Sequence, residues 1–491
     1  MKILLVYPNQ VHQETISLGI SYISSYIKQF GHTAEVMDYT WGGGVQDCID
    51  RIEEGRPDVI GFSLTSSDLP FSLEVARAIK RVDKQLPIIF GGAHATVTPE
   101  TLILHDCVDM VCVGEGEYAV RELLDRMENE QDYFSVPNFV FKKDGEVIRN
   151  PVAPLEPNLD LFPFPDREIW DMERYIEATH GTIDLIAGRG CPYKCFYCIN
   201  HKLHRINSAA ERKVRFRSPE NILAEIDHVL KSHPEQVQYL FFLDDIFALN
   251  KRWVAEFAAK YPQAHDLSFG CNGRVEALDE EMCEYLAQAG CTSLHIGVES
   301  GSERLRKTVL GRNMTNAQIV RAFRAAKKWG MKANSFNMVG LPYETEEDIW
   351  ETIRLNRECE PDYLHIFIFQ PYPGTELHRL CKEKGWLQTE TMPVSYKLTS
   401  IMDYPHMSAR EIVWHKKMFR FRVMRHVSLR KALVFLLLDL NYELFVKVRA
   451  SLPTIVKRGL WKMLRNFSGG LPRRTISYRL KRPQMGRGHQ R

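Results

Sequence analysis

Three cysteines, Cys191, Cys195 and Cys198, stand within eight residues as C-P-Y-K-C-F-Y-C. Three thiolates at this spacing can hold three corners of a cubane 4Fe-4S cluster. No fourth cysteine follows nearby, so one iron is left without a protein ligand and is free to bind and reduce a small molecule. A structural zinc site is the plainer alternative, but it wants a second Cys or His pair to close its tetrahedron, and none stands at ribbon-like spacing. The remaining cysteines, Cys48, Cys107, Cys112, Cys271, Cys283, Cys291, Cys359 and Cys381, are scattered. No secretion signal follows Met1-Lys2-Ile3, so they read as reduced, mostly buried thiols of a cytoplasmic protein.

The elements that must position the cysteines form an alternating series. Strands are expected at Leu185–Ala187, Tyr239–Leu243, Leu267–Cys271, Ser293–Gly297, Ala333–Val339 and Tyr363–Phe369, with helices between them. Six βα units are too few for a closed eight-strand barrel. Barrel chemistry sits at the carboxyl ends of strands, and the cysteines directly follow the first. Later strand ends carry Asp244-Asp245, Asn272-Gly273-Arg274, Glu299 in I-G-V-E-S-G, Gly340-Leu341-Pro342-Tyr343-Glu344-Thr345, and Gln370-Pro371-Tyr372-Pro373-Gly374-Thr375. Taken singly, the two aspartates could be a solvated strand end or a helix cap, and Arg274 with Glu299 a structural ion pair. His94, His201 and His295 read as core or surface residues with no catalytic role.

Upstream lies a second α/β region. Strands at Ile3–Tyr7, Thr33–Met37, Val59–Ser63, Ile88–Phe90 and Met110–Val113 alternate with helices, as in a flavodoxin-like doubly wound parallel sheet. Its strand-end loops are rich in small residues: Ser63 with Thr65-Ser66-Ser67, Gly91-Gly92-Ala93-His94, and Gly114-Glu115-Gly116-Glu117. No G-x-G-x-x-G dinucleotide fingerprint follows the first strand. A hairpin around Asp144-Gly145 and a proline-rich stretch from Pro151 to Pro165 read as a connector. The expected division is 1–135, 136–180, 181–385 and a basic helical region 386–491 with a disordered end.

The cysteine spacing, with Tyr197 before the last Cys, resembles the signature of radical S-adenosylmethionine (SAM) enzymes, whose barrel is open and partial. The resemblance implies that the open iron chelates the amino and carboxylate groups of SAM and delivers the electron that cleaves it. It implies SAM contacts from Tyr197, Asp244 and Asp245 near the ammonium, Arg274 at the carboxylate and Glu299 at the ribose. Gly340 and Pro342 belong to a turn resembling G-L-P-G-E-T, with Tyr343 in the glycine position. The upstream loops resemble the cobalamin-binding domain of one large radical SAM subclass, through Leu18-Gly19-Ile20, Phe62-Ser63-Leu64, the G-G-x-H-x-T run from Gly91 to Thr96, and V-G-E-G-E from Val113. That likeness implies cobalamin contacts from Leu18, Gly19, Ser63, Thr65, Gly91, Gly92, His94, Gly114 and Glu115. The loop after the first strand, P-N-Q-V-H-Q, departs from the Asp-x-His-x-x-Gly motif, which argues against a His on cobalt. A flavodoxin-like domain with another ligand, or none, is the alternative.

Together these imply a cobalamin-dependent radical SAM enzyme that makes a 5′-deoxyadenosyl radical and most naturally methylates an unactivated carbon of a lipophilic or secondary-metabolite substrate. A ring-forming or rearranging enzyme of the tetrapyrrole-cyclase kind is an alternative, and a cobalamin or iron–sulfur sensor is one of another class. An electron donor such as flavodoxin or ferredoxin is implied as partner.

Composition agrees with a multidomain globular protein, at 491 residues, 44% hydrophobic and 26% charged. A net charge of +2 conceals an asymmetry: from His415 onward, twenty Lys/Arg face only Asp439 and Glu443. A basic tail meets something anionic. Leu429, Leu433, Leu436, Leu440 and Leu444 recur at helical spacing, as do Leu452, Val456, Leu460, Met463 and Phe467. This pattern suits either helices packed on the barrel or an amphipathic surface lying on anionic lipid at the inner membrane face. Nucleic acid is disfavoured, because aromatic residues for base stacking are not interleaved with the charges. No apolar run is long enough to span a membrane.

Overall fold

The structure is a computed structural model that describes residues 1–207, 214–389, 391–393 and 398–441. Strands β1 (Lys2–Tyr7), β2 (Thr33–Asp38), β3 (Val59–Ser63), β4 (Ile88–Gly91) and β5 (Met110–Cys112) form a parallel sheet in the order β2-β1-β3-β4-β5. The continuous apolar run Ile3-Leu4-Leu5-Val6 is buried throughout, as befits a strand covered by helices on both faces. Ser17 caps the helix Leu18–Lys28 by accepting from the Ile20 amide. The order is that of a flavodoxin-like sheet. It then continues: β6 (Phe139–Lys143) pairs antiparallel with β5, and β7 (Glu146–Arg149) with β6. The hairpin expected in the connector is thus the edge of the amino-terminal sheet, which runs to Arg149, past the expected boundary at 135. Phe139, Val140 and Phe141, all buried, are what draws it in.

The second sheet consists of β8 (Thr182–Leu185), β11 (Tyr239–Phe242), β12 (Phe269–Gly273), β13 (Cys291–Glu299), β14 (Lys332–Val339) and β15 (Tyr363–Ile368), all parallel and in chain order. β8 and β15 are its two edges, so the barrel is open. Between β8 and β11, the two-residue strands β9 (Gly188–Arg189) and β10 (Arg215–Phe216) pair antiparallel and bracket the cysteine loop.

The two bodies share one core cluster, which runs from Ile3 and Leu5 through Trp170 and Leu185 to Leu355 and Cys359. Polar joints reinforce it. Trp170 Nε1 donates to Ser21 Oγ at 2.8 Å, and the Thr15 hydroxyl donates to the Asp184 carboxylate. The fully buried Glu225 sits between Arg167 and Arg217, and Arg217 also reaches the Tyr22 hydroxyl at 3.2 Å. Breaking the Arg167–Glu225–Arg217 cluster costs several kcal/mol, on the order of 3–5, and the Tyr22 hydroxyl ties the amino-terminal body to it.

Beyond the barrel, the helix Ala409–Met424 packs on β15, and the helix Leu429–Leu440 packs on it in turn through Ala432, Phe435 and Asp439. Asp439 is fully buried and takes Lys416 and Arg420, so part of the basic charge is neutralised. Leu429, Leu433, Leu437 and Leu440 are exposed, at 60%, 47%, 64% and 40%. Leu436 from the expected stripe is half-buried. Leu444 and the second stripe lie outside the described residues. No helix among the described residues is long and apolar enough to cross a membrane.

Candidate functional site

A cavity of about 440 Å³ opens at the carboxyl ends of the barrel strands, and Cys191, Cys195 and Cys198 all line it. Among the described residues no three His, Cys, Asp or Glu side chains converge on one point, as a single zinc ion would require. Three thiols on the lining of one cavity suit a polynuclear cluster, in which each sulfur takes its own iron. Burial pushes the Cys191 thiol up to about 11 and the Cys198 thiol to about 12, so iron must displace protons to bind. Backbone amides of Tyr193 and Asn200 already point at these two sulfurs. Arg274 Nη1 donates to Cys195 Sγ at 3.1 Å, and its guanidinium stacks on Tyr193 at 3.7 Å.

The same lining carries charged groups. Glu299 ends β13 beyond a register shift at Gly297 and has φ of 66°, the left-handed region that a residue with a Cβ enters only at a cost. The kink turns its carboxylate inward, where Tyr197 donates its hydroxyl at 3.2 Å and Arg312 donates at 3.2 Å. Arg312 also holds the Tyr197 oxygen at 2.9 Å and the Gly297 carbonyl at 2.7 Å, while its buried Nε has no partner. A Cβ at Gly297 would lie 2.6 Å from Glu299 Oε1, so only glycine leaves room for this arrangement. Burial raises the Glu299 carboxyl, with Arg312 opposing, while Asp245 is exposed and faces the open cavity.

The structure separates the expected SAM residues into two groups. Tyr197, Asp245, Arg274 and Glu299 line the cavity with the cysteines. Asp244 does not: it is 2% exposed, with its carboxylate taking the amides of Ala187 at 3.0 Å and Gly188 at 2.6 Å. It pins the strand that leads into the cysteine loop, and burial raises it to about 7. Gly340 and Pro342 are buried in their turn, where the Glu344 carboxylate accepts from the Gly340 and Leu341 amides and the Tyr404 hydroxyl donates to the Gly340 carbonyl. Arg274 pairs with Glu276 rather than with Glu299. Arg312 escaped the sequence reading because it lies in the loop after a helix, not at a strand end. Its only signal was an arginine following Gly311.

For SAM, the fit is chemical. A zwitterion with hydroxyl groups meets two guanidiniums and two carboxylates on the lining of one cavity. For cobalamin, Ser63 and Gly91 are paired residues at adjacent strand ends, with Gly92 and Gly114 beside them at positive φ. A Cβ at Gly92 would come within 2.8 Å of the Leu64 amide. These half-open small-residue ends fit a broad ligand approaching the backbone. The helix Gly92–Val97 packs against the helix Ile199–Ile206 that follows Cys198, so this edge does face the cluster loop.

Other expected cobalamin residues are already engaged. Leu18 is buried in the core, with Gly19 beside it at the surface. The Thr65 hydroxyl donates to Asp68 at 2.6 Å, and His94 meets Ser66 at 2.9 Å, burial lowering the imidazole to about 4. Glu115 is bound to the barrel instead: Arg215 takes both its oxygens and Arg189 lies 3.3 Å away, with Glu117 completing the cluster at 2.7 Å from Arg189. Burial opposes its charge, but the two guanidiniums outweigh it and hold the carboxyl below the ordinary range. His12, in the loop after β1, sets Nδ1 3.0 Å from the Thr40 carbonyl.

Comparison with known proteins agrees with both halves. The model of the B12 binding domain matches residues 5–124, and that of the radical SAM superfamily matches residues 185–355. An uncharacterized methyltransferase of Pyrococcus horikoshii is 28% identical over 84% of this chain and 90% of that protein. The anaerobic magnesium-protoporphyrin IX monomethyl ester cyclase of Rubrivivax gelatinosus is 24% identical over 78% of this chain and 70% of that protein. Among solved structures, the radical SAM methyltransferase TsrM of Kitasatospora setae superposes with a TM-score of 0.65 at 17% identity, over 78% of this chain and 76% of that one. The cobalamin-dependent radical enzyme OxsB does so at 0.69 and 16%, over 91% and 71%. With three cysteines on an open six-strand barrel behind a B12-binding sheet, the chain belongs to the cobalamin-binding branch of the radical SAM superfamily.

Proposed function

We propose that the protein is a cobalamin-dependent radical SAM methyltransferase acting on an unactivated carbon of a lipophilic small molecule. The observation that carries this reading is the cavity itself: three cluster cysteines share its lining with Asp245, Arg274, Glu299 and Arg312, and the helix Gly92–Val97 of the B12-binding region packs on the helix that follows Cys198. When bound, the cluster supplies a low-potential electron, SAM the hydrogen-abstracting and methyl-donating chemistry, and cobalamin a methyl carrier. The chain's part is binding and orientation. Arg274 and Arg312 meet a carboxylate, Asp245 an ammonium, and Glu299 accepts from ribose hydroxyls, while Tyr197 keeps Glu299 and Arg312 in register. Ser63, Gly91, Gly92 and Gly114 would offer cobalamin a close backbone approach, and the loop after β1 carries no Asp-x-His-x-x-Gly motif.

Anaerobic reconstitution with iron, sulfide and hydroxocobalamin tests the reading. Reduced enzyme and SAM labelled in the methyl group should yield 5′-deoxyadenosine and labelled methylcobalamin. Deoxyadenosine without any methylcobalamin favours the cyclase-like alternative, which the Rubrivivax relative motivates; neither product overturns the assignment. An electron donor of the flavodoxin or ferredoxin kind belongs to the same proposal. So does peripheral attachment to anionic lipid through the basic residues from His415 onward, beside the exposed Leu429, Leu433, Leu437 and Leu440 face. Liposome flotation, with release by about 1 M salt, where screening lengths fall to a few ångströms, is its measurement.

A further inference from the structure

Glu299 is the strained residue of the cavity, at φ of 66°, and its surroundings must hold it there. A non-glycine residue in the left-handed region persists only where neighbouring structure over-determines it. The Glu299 side chain is held by Tyr197 and Arg312. Its backbone is held by Arg306, which lies in the helix Glu303–Thr308, is fully buried and takes no part in the cavity lining. Arg306 Nη1 donates to the carbonyl of Ser300, the residue directly after Glu299. The rest of the fork grips the segment that carries Arg312. Nε and Nη2 donate to the Met314 carbonyl at 3.2 and 3.1 Å, and Nη2 also donates to Asn316 Oδ1 at 2.6 Å. Two further bonds close the joint: the Arg312 amide donates to the Arg306 carbonyl at 2.7 Å, and Asn316 Nδ2 donates to the Gly301 carbonyl at 3.1 Å.

A charged side chain is a poor choice where packing alone is needed. Burying a guanidinium costs several kcal/mol, roughly, unless it is well paired. The ion-pair partner of Arg306 among the described residues, Glu303, stands 3.8 Å away. Burial lowers the guanidinium to about 10, so it is still charged at neutral pH. Carbonyl oxygens and one side-chain amide take up its donors instead. A planar fork with fixed donor directions holds two carbonyls at a set separation, which the single ammonium of a lysine does not. Those carbonyls belong to Ser300, beside Glu299, and to Met314, just past Arg312. On the other side of the same segment, the Gly301 amide donates to Thr352 Oγ1 at 2.7 Å, a bond that does not reach the Arg312 segment.

We propose that Arg306 is a positioning residue for SAM: by clamping Ser300 to Met314 and Asn316, it keeps the strained Glu299 and its partner Arg312 in the arrangement that presents the Glu299 carboxylate to the ribose hydroxyls. This rests on the radical SAM reading of the cavity and deepens it, because it adds a determinant of SAM recognition that lies outside the cavity.

The test uses full-length protein with its cluster reconstituted and kept oxidised, so that nothing turns over. Equilibrium dialysis compares SAM with an analogue in which both ribose hydroxyls are replaced by hydrogen. Wild type should prefer SAM. Arg306→Met, which keeps an unbranched side chain and removes the donors, should cut that preference about five- to tenfold as Glu299 relaxes, which is what one hydrogen bond contributes. Arg306→Lys should fall between the two. Asn316→Ala, which removes one end of the clamp from a half-buried position, should act in the same direction by about two- to threefold. General loosening of the fold weakens both ligands alike and leaves their ratio unmoved, so the ratio, read beside urea midpoints, separates positioning from stability. An unchanged ratio in folded Arg306→Met overturns the proposal; where that variant does not fold, an unchanged ratio in Asn316→Ala overturns it. Failure of wild type to bind SAM refutes the radical SAM reading instead. SAM binding with no preference over the analogue refutes this inference alone.

Discussion

The carboxyl ends of the two parallel sheets look alike in sequence and differ in what they leave available. At the barrel end, burial raises the carboxyl of Glu299, Asp245 lies open to the cavity, the Arg312 Nε is unpartnered, and Glu299 sits at positive φ. At the amino-terminal sheet, Thr65 is spent on Asp68, His94 on Ser66, and Glu115 on Arg189 and Arg215. The first set is kept in strained, half-satisfied states that a charged ligand would relieve. The second is largely satisfied, and what it offers a ligand is backbone and small side chains. A polar residue in a strand-end loop therefore marks a site only when its own neighbours have not already claimed it.

The largest effect that can break this contrast is at the cysteines. Cys195→Ala should bind less than a tenth of the wild-type iron and release no deoxyadenosine, with an unchanged far-ultraviolet circular dichroism spectrum, because the loop lies outside the barrel core. Appreciable SAM cleavage by that variant would remove the cluster from the account. Next in size is Glu299→Gln. It keeps the shape but removes the charge that faces Arg312, and hydrogen bonds to charged groups are worth about 1.5–3 kcal/mol. SAM affinity by equilibrium dialysis should fall roughly ten- to a hundredfold. An unaltered affinity would make the Glu299–Arg312 pair purely structural.

The same contrast explains what the sequence disclosed. Strand and helix positions were legible because apolar runs such as Ile3-Leu4-Leu5-Val6 alternate with helical stretches, and the structure ends helices at Gly31, Gly290 and Gly330 with positive φ. The three cysteines and the strand-end residues Asp245, Arg274 and Glu299 were legible because βα topology sends strand ends to one rim. Arg312 was not, since its contact with Tyr197 spans 115 residues and no local pattern encodes it. Nor was the capture of Glu115 by Arg189 and Arg215, which needs the two domains to be docked before the charges meet. His295 reads as a core or surface residue in the sequence, and only the fold shows that it lines the cavity.

Glu115 gives the third test, with an effect of about 1–3 kcal/mol, discounted from the cost of breaking a fully buried pair because its side chain is 27% exposed. Glu115→Gln should lower stability by that amount in urea unfolding while leaving cobalamin retention, read from the visible spectrum, unchanged. Loss of cobalamin would return Glu115 to the ligand site. The pH dependence has a definite sign. The folded carboxyl lies below its unfolded value, so its contribution is complete above about pH 4.5 and is lost as pH falls through the folded value. Wild type should therefore lose more stability than the glutamine variant on acidification below about pH 4.5, and the two should run parallel above it.

The smallest effect concerns Tyr343, which occupies the left-handed region at φ of 59° in the turn after β14. A residue with a Cβ pays about 1–2 kcal/mol there relative to glycine. Tyr343 offsets part of this by meeting Trp386 edge-to-face at 5.0 Å, a contact worth about 0.5–1.5 kcal/mol. The two terms nearly cancel, so Tyr343→Gly should change stability by less than about 1 kcal/mol. Tyr343→Ala keeps the backbone cost and loses the ring, and should fall about 1 kcal/mol below the glycine variant. Urea midpoints of the three proteins decide the matter. Because Gly340 and Pro342 are buried in this turn rather than in the cavity, SAM affinity should be the same in all three. A variant that loses SAM binding without losing stability would place the turn among the ligand contacts and extend the strained, unsatisfied rim of the barrel to the end of β14.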